Sequence, residues 1–523
     1  MAPQTKPKAS RGGAIFVAAG ILLSRLAGLL RERVFAYYFG NGAAADVFRA
    51  AFRIPNLLQN LFGEGALSAS FIPVYAGLGE KDPKEAARVA GVILSLLCLL
   101  MSILVLVGVL ATPWLIDWIV PGFQDERRDA AIRLVRILFP GIGLLVISAF
   151  CLGVLNSHRK FFISYTAPVL WNGAMIATLM FFQDADSYKF AENLAWGAVA
   201  GSFLQVAIQI PWMLRFMKDM RPGLEIKSTP VRTILTRFFP NIMSRGIIQI
   251  SSYIEGMIAS FLPTGALAAI GYAQILTTLP TSLFGTAIAA SNLIDMSKDE
   301  QGEEVGRRLH QGMRQIAFFI VPSAMAFVCM GNVLAATLFK TGKFGEDDTI
   351  YIWTLLAASA LGLLASTQGR LLATTFYALK NTITPLRCSI YRVLTSTVGA
   401  VLFAIYLPKY VPMSPAMATA GISFATSLAA VLEFLLLRNA LKKAIAFENL
   451  PGIFIAKLFF AATTSGLLGA ILYRILNPMQ LQPWISGGFA IAAFGVCYAG
   501  LSLLLKIEEA TAFGTKIRKR LPF

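Results

Sequence analysis

The chain has 523 residues, of which 56% are hydrophobic and 14% are charged, and its mean hydropathy is +0.66. This composition is far more apolar than that of an ordinary globular protein. Apolar runs of about 20 residues, each long enough to cross a bilayer, recur along the whole chain. The runs are continuously apolar rather than alternating, which excludes an outer-membrane barrel. The fold class is therefore an all-α polytopic membrane protein.

The formal net charge of +18 could indicate binding to nucleic acid, but the sequence contains no soluble basic domain that would do so. Basic cytoplasmic loops and contacts with anionic lipid headgroups explain most of this charge. We therefore expect membrane lipids, and no nucleic acid, as partners. The arginines inside the apolar segments need a separate explanation.

The length criterion predicts about fourteen membrane-spanning helices. In chain order they cover residues 14–39, 46–78, 87–110, 132–155, 163–182, 194–216, 234–262, 266–294, 313–339, 350–379, 383–407, 416–437, 453–475 and 485–505. Pro55, Pro73, Pro240 and Pro280 are expected to kink or end their helices.

Basic residues cluster in every second loop between these spans. They include Lys6 and Lys8, Lys81 and Lys84, Arg159 and Lys160, Lys218 and Arg221, Arg307 and Arg308, Lys380 and Arg387, Lys442 and Lys443, and the tail from Lys516 to Arg520. The opposite loops are short or acidic, as in QDADSYKFAEN and GEDDT. Because basic loops stay on the cytoplasmic side, both termini are expected in the cytoplasm.

Two pairs of similar segments recur at a spacing of about 220 residues, the scale of a transporter half-repeat. LFGEGALSAS at 61–70 resembles LFGTAIAAS at 283–291, and HRKFFISYTAP at 158–168 resembles YALKNTITP at 377–385. The repeats indicate two six-helix lobes in parallel orientation. Chance similarity between apolar helices is the alternative.

This repeat predicts the domain organisation. We expect an N-terminal lobe at 1–216, a basic cytoplasmic linker at 217–233 and a C-terminal lobe at 234–447. Residues 448–523 would add two helices and a basic cytoplasmic tail.

The segment from Ser24 to Pro73 carries charges that an ordinary membrane span would not. It reads SRLAGLLRERVFAYYFGNGAAADVFRAAFRIPNLLQNLFGEGALSASFIP. At roughly 100° per residue, one narrow stripe of the second helix holds Asp46, Arg49, Arg53, Asn60 and Glu64, and one face of the first holds Arg25 and Glu32. A charge at mid-bilayer costs roughly 2.5–3.5 kcal/mol, so we expect these stripes to face a bundle interior or a wet cavity.

The charged segment indicates an anionic ligand. Its cations outnumber its acids, with Arg25, Arg31, Arg49 and Arg53 against Glu32, Asp46 and Glu64. Guanidinium groups bind phosphate oxygens through two parallel hydrogen bonds, which favours a phosphorylated substrate. The alternative is an internal salt-bridge network that serves packing alone, with Arg49 or Arg53 on Asp46 and Arg25 on Glu32.

The second lobe has ionisable residues of its own, namely Arg245, Glu255, Arg370 and Arg392. Glu255 lies in the middle of a span, where a carboxylate would bind a cation or carry a proton, or else pair with an arginine of the same lobe. Glu433 and Lys457 lie nearer helix ends and are expected to be structural.

No catalytic motif is present in the sequence: GxSxG, the phosphate-binding GxxxxGK[ST] and HExxH are all missing. The cysteines occur singly and predict neither a disulfide nor a metal site; they are Cys98, Cys151, Cys329, Cys388 and Cys497. We therefore expect a transporter rather than an enzyme, without cofactors. Its driving force would be a Na⁺ or H⁺ gradient or the membrane potential.

The charged segment resembles the N-terminal signature of the MurJ/MviN family, the flippases of the peptidoglycan precursor lipid II. LFKTGKF at 338–344 and TFYALKNTITP at 375–385 resemble that family's second-lobe motifs. The resemblance implies the multidrug/oligosaccharidyl-lipid/polysaccharide exporter fold, with two lobes in a V, alternating access and two extra helices that make a lipid-facing groove. It also implies a monomer in the bacterial inner membrane that flips an undecaprenyl-pyrophosphate-linked substrate from the cytoplasmic leaflet.

By motif position, Arg25 and Arg31 resemble the family's essential first-helix arginines. Asp46 resembles its second-helix aspartate, and Glu64 the acid of its EGA turn. The predicted substrate contacts are Arg25, Arg31, Asp46, Arg53, Gln59 and Glu64.

This chain departs from the family pattern at Gln59, where a basic residue is usual, and at Gln274 and Ile275, where many members have Asp-Arg. These departures remove positive charge from the expected pyrophosphate pocket. The alternatives are an exporter of another polyprenyl-linked glycan, a multidrug exporter of the same superfamily, and a membrane scaffold without transport activity.

Overall fold

The computed structural model describes residues 11–63, 67, 69–217, 219–289, 291, 302–476, 479 and 481–511, and leaves the side chains of 11–18, 55, 241, 243–248 and 302–303 undescribed. The chain divides into two compact units, Met1–Tyr253 and Ile254–Phe523. The division lies within a helix, so the first unit also contains the predicted linker and most of the seventh predicted span.

The first unit is built from helices. They are α1 (Arg11–Phe39), α2 (Ala43–Phe62), α3 (Ile72–Gly79), α4 (Pro83–Ile119), α5 (Asp125–Ser157), α6 (Phe161–Phe181), α7 (Ser187–Phe216) and the larger part of α8 (Thr229–Ser260). The second unit continues with α9 (Ala266–Ala289), α10 (Gly302–Phe339), α11 (Glu346–Ala378), α12 (Ile383–Tyr410), α13 (Pro415–Lys442), α14 (Gly452–Leu476) and α15 (Pro483–Leu504).

Ten of these helices are long and apolar enough to cross a membrane. The other long helices, α1, α2, α6 and α8, fill the remaining places in the order of the fourteen predicted spans. The predicted all-α polytopic fold is therefore confirmed.

The predicted span 46–78 is wrong as a single helix. α2 passes Pro55 and ends at Phe62, and α3 begins at Ile72. Gly63 has non-helical backbone angles, and a Cβ there would lie 2.3 Å from the carbonyl oxygen of Gln59. Only glycine therefore fits this tight end, and Pro73 starts the next helix in the first turn, where a missing N–H costs nothing.

Local capping explains where several helices begin. The Asp82 carboxylate accepts hydrogen bonds from the backbone N–H groups of Lys84 (3.0 Å) and Glu85 (3.1 Å), and Pro83 opens α4. The Ser414 hydroxyl accepts from the Met417 N–H at the start of α13. These side chains satisfy N–H groups that have no partner within the helix.

α5 is the most buried of the apolar spans and forms the centre of the first unit. Its Ser148 hydroxyl donates to Oε1 of Gln209 (2.7 Å) and accepts from Nε2 of Gln205 (2.8 Å), both on α7. All three side chains are buried. This polar contact fixes α5 against α7, because breaking it would leave polar atoms unpaired in an apolar core.

The repeated segments near 160 and 380 have the same turn. Arg159 and Lys380 both have positive φ, 57° and 60°. The Arg159 N–H bonds to a carbonyl three residues earlier (3.0 Å), and the Lys160 N–H bonds five residues earlier (2.9 Å). Lys380 and Asn381 repeat this pattern at 3.0 and 2.9 Å. The sequence repeat therefore has a structural counterpart.

The two added helices, α14 and α15, pack on α10 within the second unit. The Tyr498 hydroxyl of α15 donates to the Phe318 carbonyl at 2.7 Å. Nε of Arg314 on α10 lies 2.5 Å from a carboxylate oxygen of Glu509, and its guanidinium lies 4.4 Å from the Phe454 ring of α14. An apolar core and an ion pair thus hold this helix pair on α10.

Candidate functional site

Two arginines of the first unit share one carboxylate. Nη2 of Arg31 on α1 donates to Oε1 of Glu32, and Nη2 of Arg49 on α2 donates to Oε2. Glu32 is 6% exposed, and both arginines are partly buried. The cluster joins α1 to α2 and has a net charge of +1, because one carboxylate stands between two cations.

Aromatic rings support both guanidinium groups. Arg31 lies over the Trp171 ring at 4.9 Å, and Arg49 lies over the Phe35 ring at 4.9 Å. The indole N–H of Trp171, on α6, donates to the carbonyl of Ala198, on α7, at 3.1 Å. This hydrogen bond fixes the Trp171 ring against α7. The arginine planes are therefore held by more than Glu32, since cation–π contacts strengthen when they are shielded from water.

Asp46, a predicted site residue, pairs with a residue that sequence reasoning did not select. Nη2 of Arg127 on α5 donates to Oδ2 of Asp46 at 3.0 Å, and Asp46 is 1% exposed. The Arg127 guanidinium lies 4.3 Å from the Phe123 ring. Arg127 precedes the predicted span at 132–155. Because α5 begins at Asp125, this arginine lies in its first turn.

Ion pairs are present, as the alternative of an internal salt-bridge network expected, but their partners differ from those it named. The expected partners of Asp46 were Arg49 or Arg53, whereas the carboxylate that Arg49 contacts is Glu32. Helix periodicity places residues on a face but does not say which neighbouring helix meets that face.

Arg53 lies further along α2 and contacts α8. Its Nη1 donates to the Ser252 carbonyl at 3.1 Å, and the Tyr253 hydroxyl donates to the Arg53 carbonyl at 2.7 Å. The Ser252 carbonyl and the Tyr253 hydroxyl therefore hold Arg53 against α8.

The other predicted contacts have different surroundings. Arg25 on α1 is exposed, and Gln59 on α2 is half-buried. Glu64 lies outside the described residues. The structure thus brings together Arg31, Arg49 and Glu32, and does not describe one pocket that holds all six predicted residues.

In the second unit, Glu255 is half-buried and its Oε1 accepts a hydrogen bond from the Thr426 hydroxyl of α13 at 3.3 Å. Gln274 is exposed and Ile275 is half-buried. The side chain of Arg245 lies outside those described. Lys457 donates to the Leu505 carbonyl at 3.0 Å, in agreement with its predicted structural role.

The described residues contain no group of three or more His, Cys, Asp or Glu side chains that could hold a metal ion. What the first unit does offer is positive charge inside spanning helices. Guanidinium N–H groups donate hydrogen bonds to phosphate oxygens, often in pairs.

Sequence comparison identifies relatives along almost the whole chain. The family model described as lipid II flippase MurJ matches residues 35–494. A lipid II flippase MurJ of Burkholderia cenocepacia is 31% identical over 442 residues, covering 82% of this chain and 83% of that protein. A probable lipid II flippase MurJ of Haemophilus influenzae is 32% identical over 520 residues, covering 95% of this chain and 98% of that protein.

Solved structures show the same fold. Lipid II flippase MurJ in an inward closed conformation matches with a TM-score of 0.75 at 23% identity, covering 94% of this chain and 99% of that chain. An inward-facing multidrug resistance MATE family transporter of the MOP superfamily matches with a TM-score of 0.65 at 18% identity, covering 83% of this chain and 100% of that chain. The predicted exporter-superfamily fold is confirmed, and by its sequence the chain belongs to the lipid II flippase MurJ family.

Proposed function

We propose that this protein flips lipid II from the cytoplasmic to the outer leaflet of the inner membrane by alternating access. The observation that carries the proposal is the Arg31–Glu32–Arg49 cluster, which puts net positive charge inside the spanning helices of a member of this family. Leaving such charge without an anion in a bilayer is costly. The pyrophosphate of a lipid-linked precursor is an anion that enters from the membrane.

The cluster suits a ligand that must be both bound and released. Each arginine donates to Glu32 through one terminal nitrogen, and a guanidinium has five N–H donors in all, which suits binding to phosphate oxygens. The Glu32 carboxylate cancels one of the two positive charges, which keeps the attraction for pyrophosphate moderate. A transporter needs this balance, because very tight binding would slow release on the far side.

The remaining predicted contacts take supporting roles in this proposal. Arg25 adds positive charge on α1, and Arg53 adds it on α2. Gln59 is a neutral hydrogen-bond donor at a position where the family usually has a basic residue. The Asp46 carboxylate holds the Arg127 guanidinium in place through their ion pair. The protein acts as a monomer, with the polyprenyl tail in the lipid phase.

Growth of a bacterial host tests the proposed function. Expression of this protein should sustain growth when the host's only lipid II flippase is depleted. A multidrug exporter of the same fold would not, and neither would an exporter of a different polyprenyl-linked glycan. Failure to sustain growth by a protein that is expressed and inserted would contradict the proposal.

The driving force is proposed to act through Glu255. A carboxylate in an apolar span that accepts a hydrogen bond from the Thr426 hydroxyl at 3.3 Å can bind Na⁺ or carry H⁺. Glu255→Gln should abolish gradient-dependent flipping in proteoliposomes and leave lipid II binding largely intact. Imposed Na⁺ and H⁺ gradients, applied separately, identify the ion.

Thr426→Val is the matched control, because it removes the partner hydroxyl and keeps the carboxylate. It should retain most gradient-dependent flipping. If Glu255→Gln flips lipid II at the wild-type rate under both gradients, Glu255 is a structural residue and the membrane potential becomes the candidate driving force.

The proposed orientation places both termini in the cytoplasm. Single cysteines at Asp184, Asp186, Glu346 or Asp348 should react with a membrane-impermeant maleimide in intact cells. Cysteines at Lys218 and Lys442 should react only after the cells are opened. Labelling of Lys442 from outside in intact cells would show that the orientation is inverted.

A further inference from the structure

A second group of charged residues lies in the other unit, where α11, α12 and α13 meet. Nη1 of Arg392 on α12 donates to Oε2 of Glu433 on α13 at 2.9 Å, and the Ser389 hydroxyl donates to Oε1 at 2.9 Å. Glu433 is 8% exposed. Both carboxylate oxygens are occupied, so Glu433 is a fixed negative charge that orients the Arg392 guanidinium.

Arg370 on α11 is the unexplained member of this group. Its side chain is exposed, and its helix, α11, packs against α13, which carries Glu433. The charge of Arg370 interacts with those of Arg392 and Glu433. None of the residues that the structure describes accepts a hydrogen bond from it or pairs with it. Two guanidinium groups beside one carboxylate leave a net charge of +1. Packing alone does not explain why an arginine stands at position 370.

The positions of the two arginines along their helices indicate that their charged groups reach the lipid–water interface. Arg370 lies roughly two turns before the end of α11, and Arg392 lies roughly two and a half turns after the start of α12. The short turn that contains Lys380 joins these two helix ends. An arginine side chain about two turns inside the end of a spanning helix extends along the helix, so that its charged group reaches the lipid–water interface.

Exposed tyrosines lie between the two arginines and the helix ends that the Lys380 turn joins. Tyr377 is 48% exposed on α11, and Tyr391 is 57% exposed on α12 beside Arg392. Tyrosine is enriched where a spanning helix passes through the headgroup region, because its ring is apolar and its hydroxyl is polar. The two arginines therefore lie within about two and a half turns of helix ends that carry exposed tyrosines, so their side chains can reach lipid phosphates at the interface.

We propose that Arg370 and Arg392 form a phosphate-binding site at the membrane interface of the second unit, with Glu433 as the fixed counter-charge. Phosphate fits because a guanidinium fork matches two phosphate oxygens and keeps its charge when it loses water. The phosphate would come from a membrane phospholipid or from a polyprenyl pyrophosphate. This site lies in the other unit from the Arg31–Glu32–Arg49 cluster, and only its assignment to the polyprenyl substrate rests on the proposed function.

The test counts bound lipids on purified, delipidated protein by native mass spectrometry. Dimyristoyl phosphatidylglycerol and undecaprenyl pyrophosphate are added in separate titrations. Arg370→Gln is the main variant, because no described partner is lost with it and the fold should be unaffected. Arg438→Gln is the matched control, since it removes a half-buried arginine of α13 whose described partner is the Asn449 side chain, at 2.6 Å.

Arg370→Gln should weaken binding of one of the two probes by about tenfold, the effect of one lost charge-assisted contact. Arg392→Gln should weaken the same probe. A loss for phosphatidylglycerol alone assigns the site to membrane phospholipid, and a loss for undecaprenyl pyrophosphate assigns it to the polyprenyl substrate. Unchanged binding of both probes to Arg370→Gln, or an equal loss in Arg438→Gln, would overturn the proposal.

Discussion

Replacing Arg31 with alanine is expected to abolish support of growth while leaving the protein inserted and folded. The change removes one of two cations on Glu32 and the guanidinium that stacks on Trp171. A charge-assisted contact with pyrophosphate is worth roughly 1.5–3 kcal/mol, or about ten- to a hundredfold in binding. Lipid II binding by the purified variant should fall by that factor, and Arg25→Ala should have the same kind of effect.

Two further variants separate substrate contact from packing. Arg31→Lys should recover only part of the binding, because a point charge cannot reproduce the fork. Arg133→Ala removes an arginine of the same unit that pairs with Glu192 at 2.5 Å on the exposed surface, and it should sustain growth. If Arg31→Ala binds lipid II normally but is poorly expressed or melts early, Arg31 is a packing element.

Much of this fold is predictable from the sequence because a bilayer imposes strong rules on it. Spanning helices must be long and apolar, and basic loops stay in the cytoplasm. The break after Phe62 is harder to predict from the sequence, because the apolar pattern continues through Gly63 although the helix ends there. A local steric requirement at one glycine decides that boundary.

The candidate site is only partly predictable for a related reason. The cost of charge in a membrane singles out Arg31, Glu32, Arg49 and Asp46 as residues that need partners. The partners themselves depend on which helices pack together. Arg127 shows the limit, because it lies outside the apolar run that defined the fourth span and reaches Asp46 only because α5 extends to Asp125.

Arg127 therefore provides the second large expected effect. Arg127→Gln removes the arginine beside a carboxylate that is 1% exposed. Breaking a buried ion pair from one side costs about 3–5 kcal/mol, and the partial exposure of Arg127 places the loss near the lower value. The variant should melt well below the wild type. Arg128→Gln is the neighbouring control, because its partner Asp117 is on the surface, and it should change the melting temperature little.

The double variant Asp46→Asn/Arg127→Gln separates the two roles that Asp46 can have. With both charges removed, no buried charge is left behind, so stability should return towards the wild type, with a coupling energy of about 0.5–3 kcal/mol between the two sites. Growth should not return, because Asp46 is proposed to act in transport through the charge that it carries. Melting temperature and growth are measured on the same set of four proteins. If growth returns together with stability, the Asp46–Arg127 pair only holds α2 against α5.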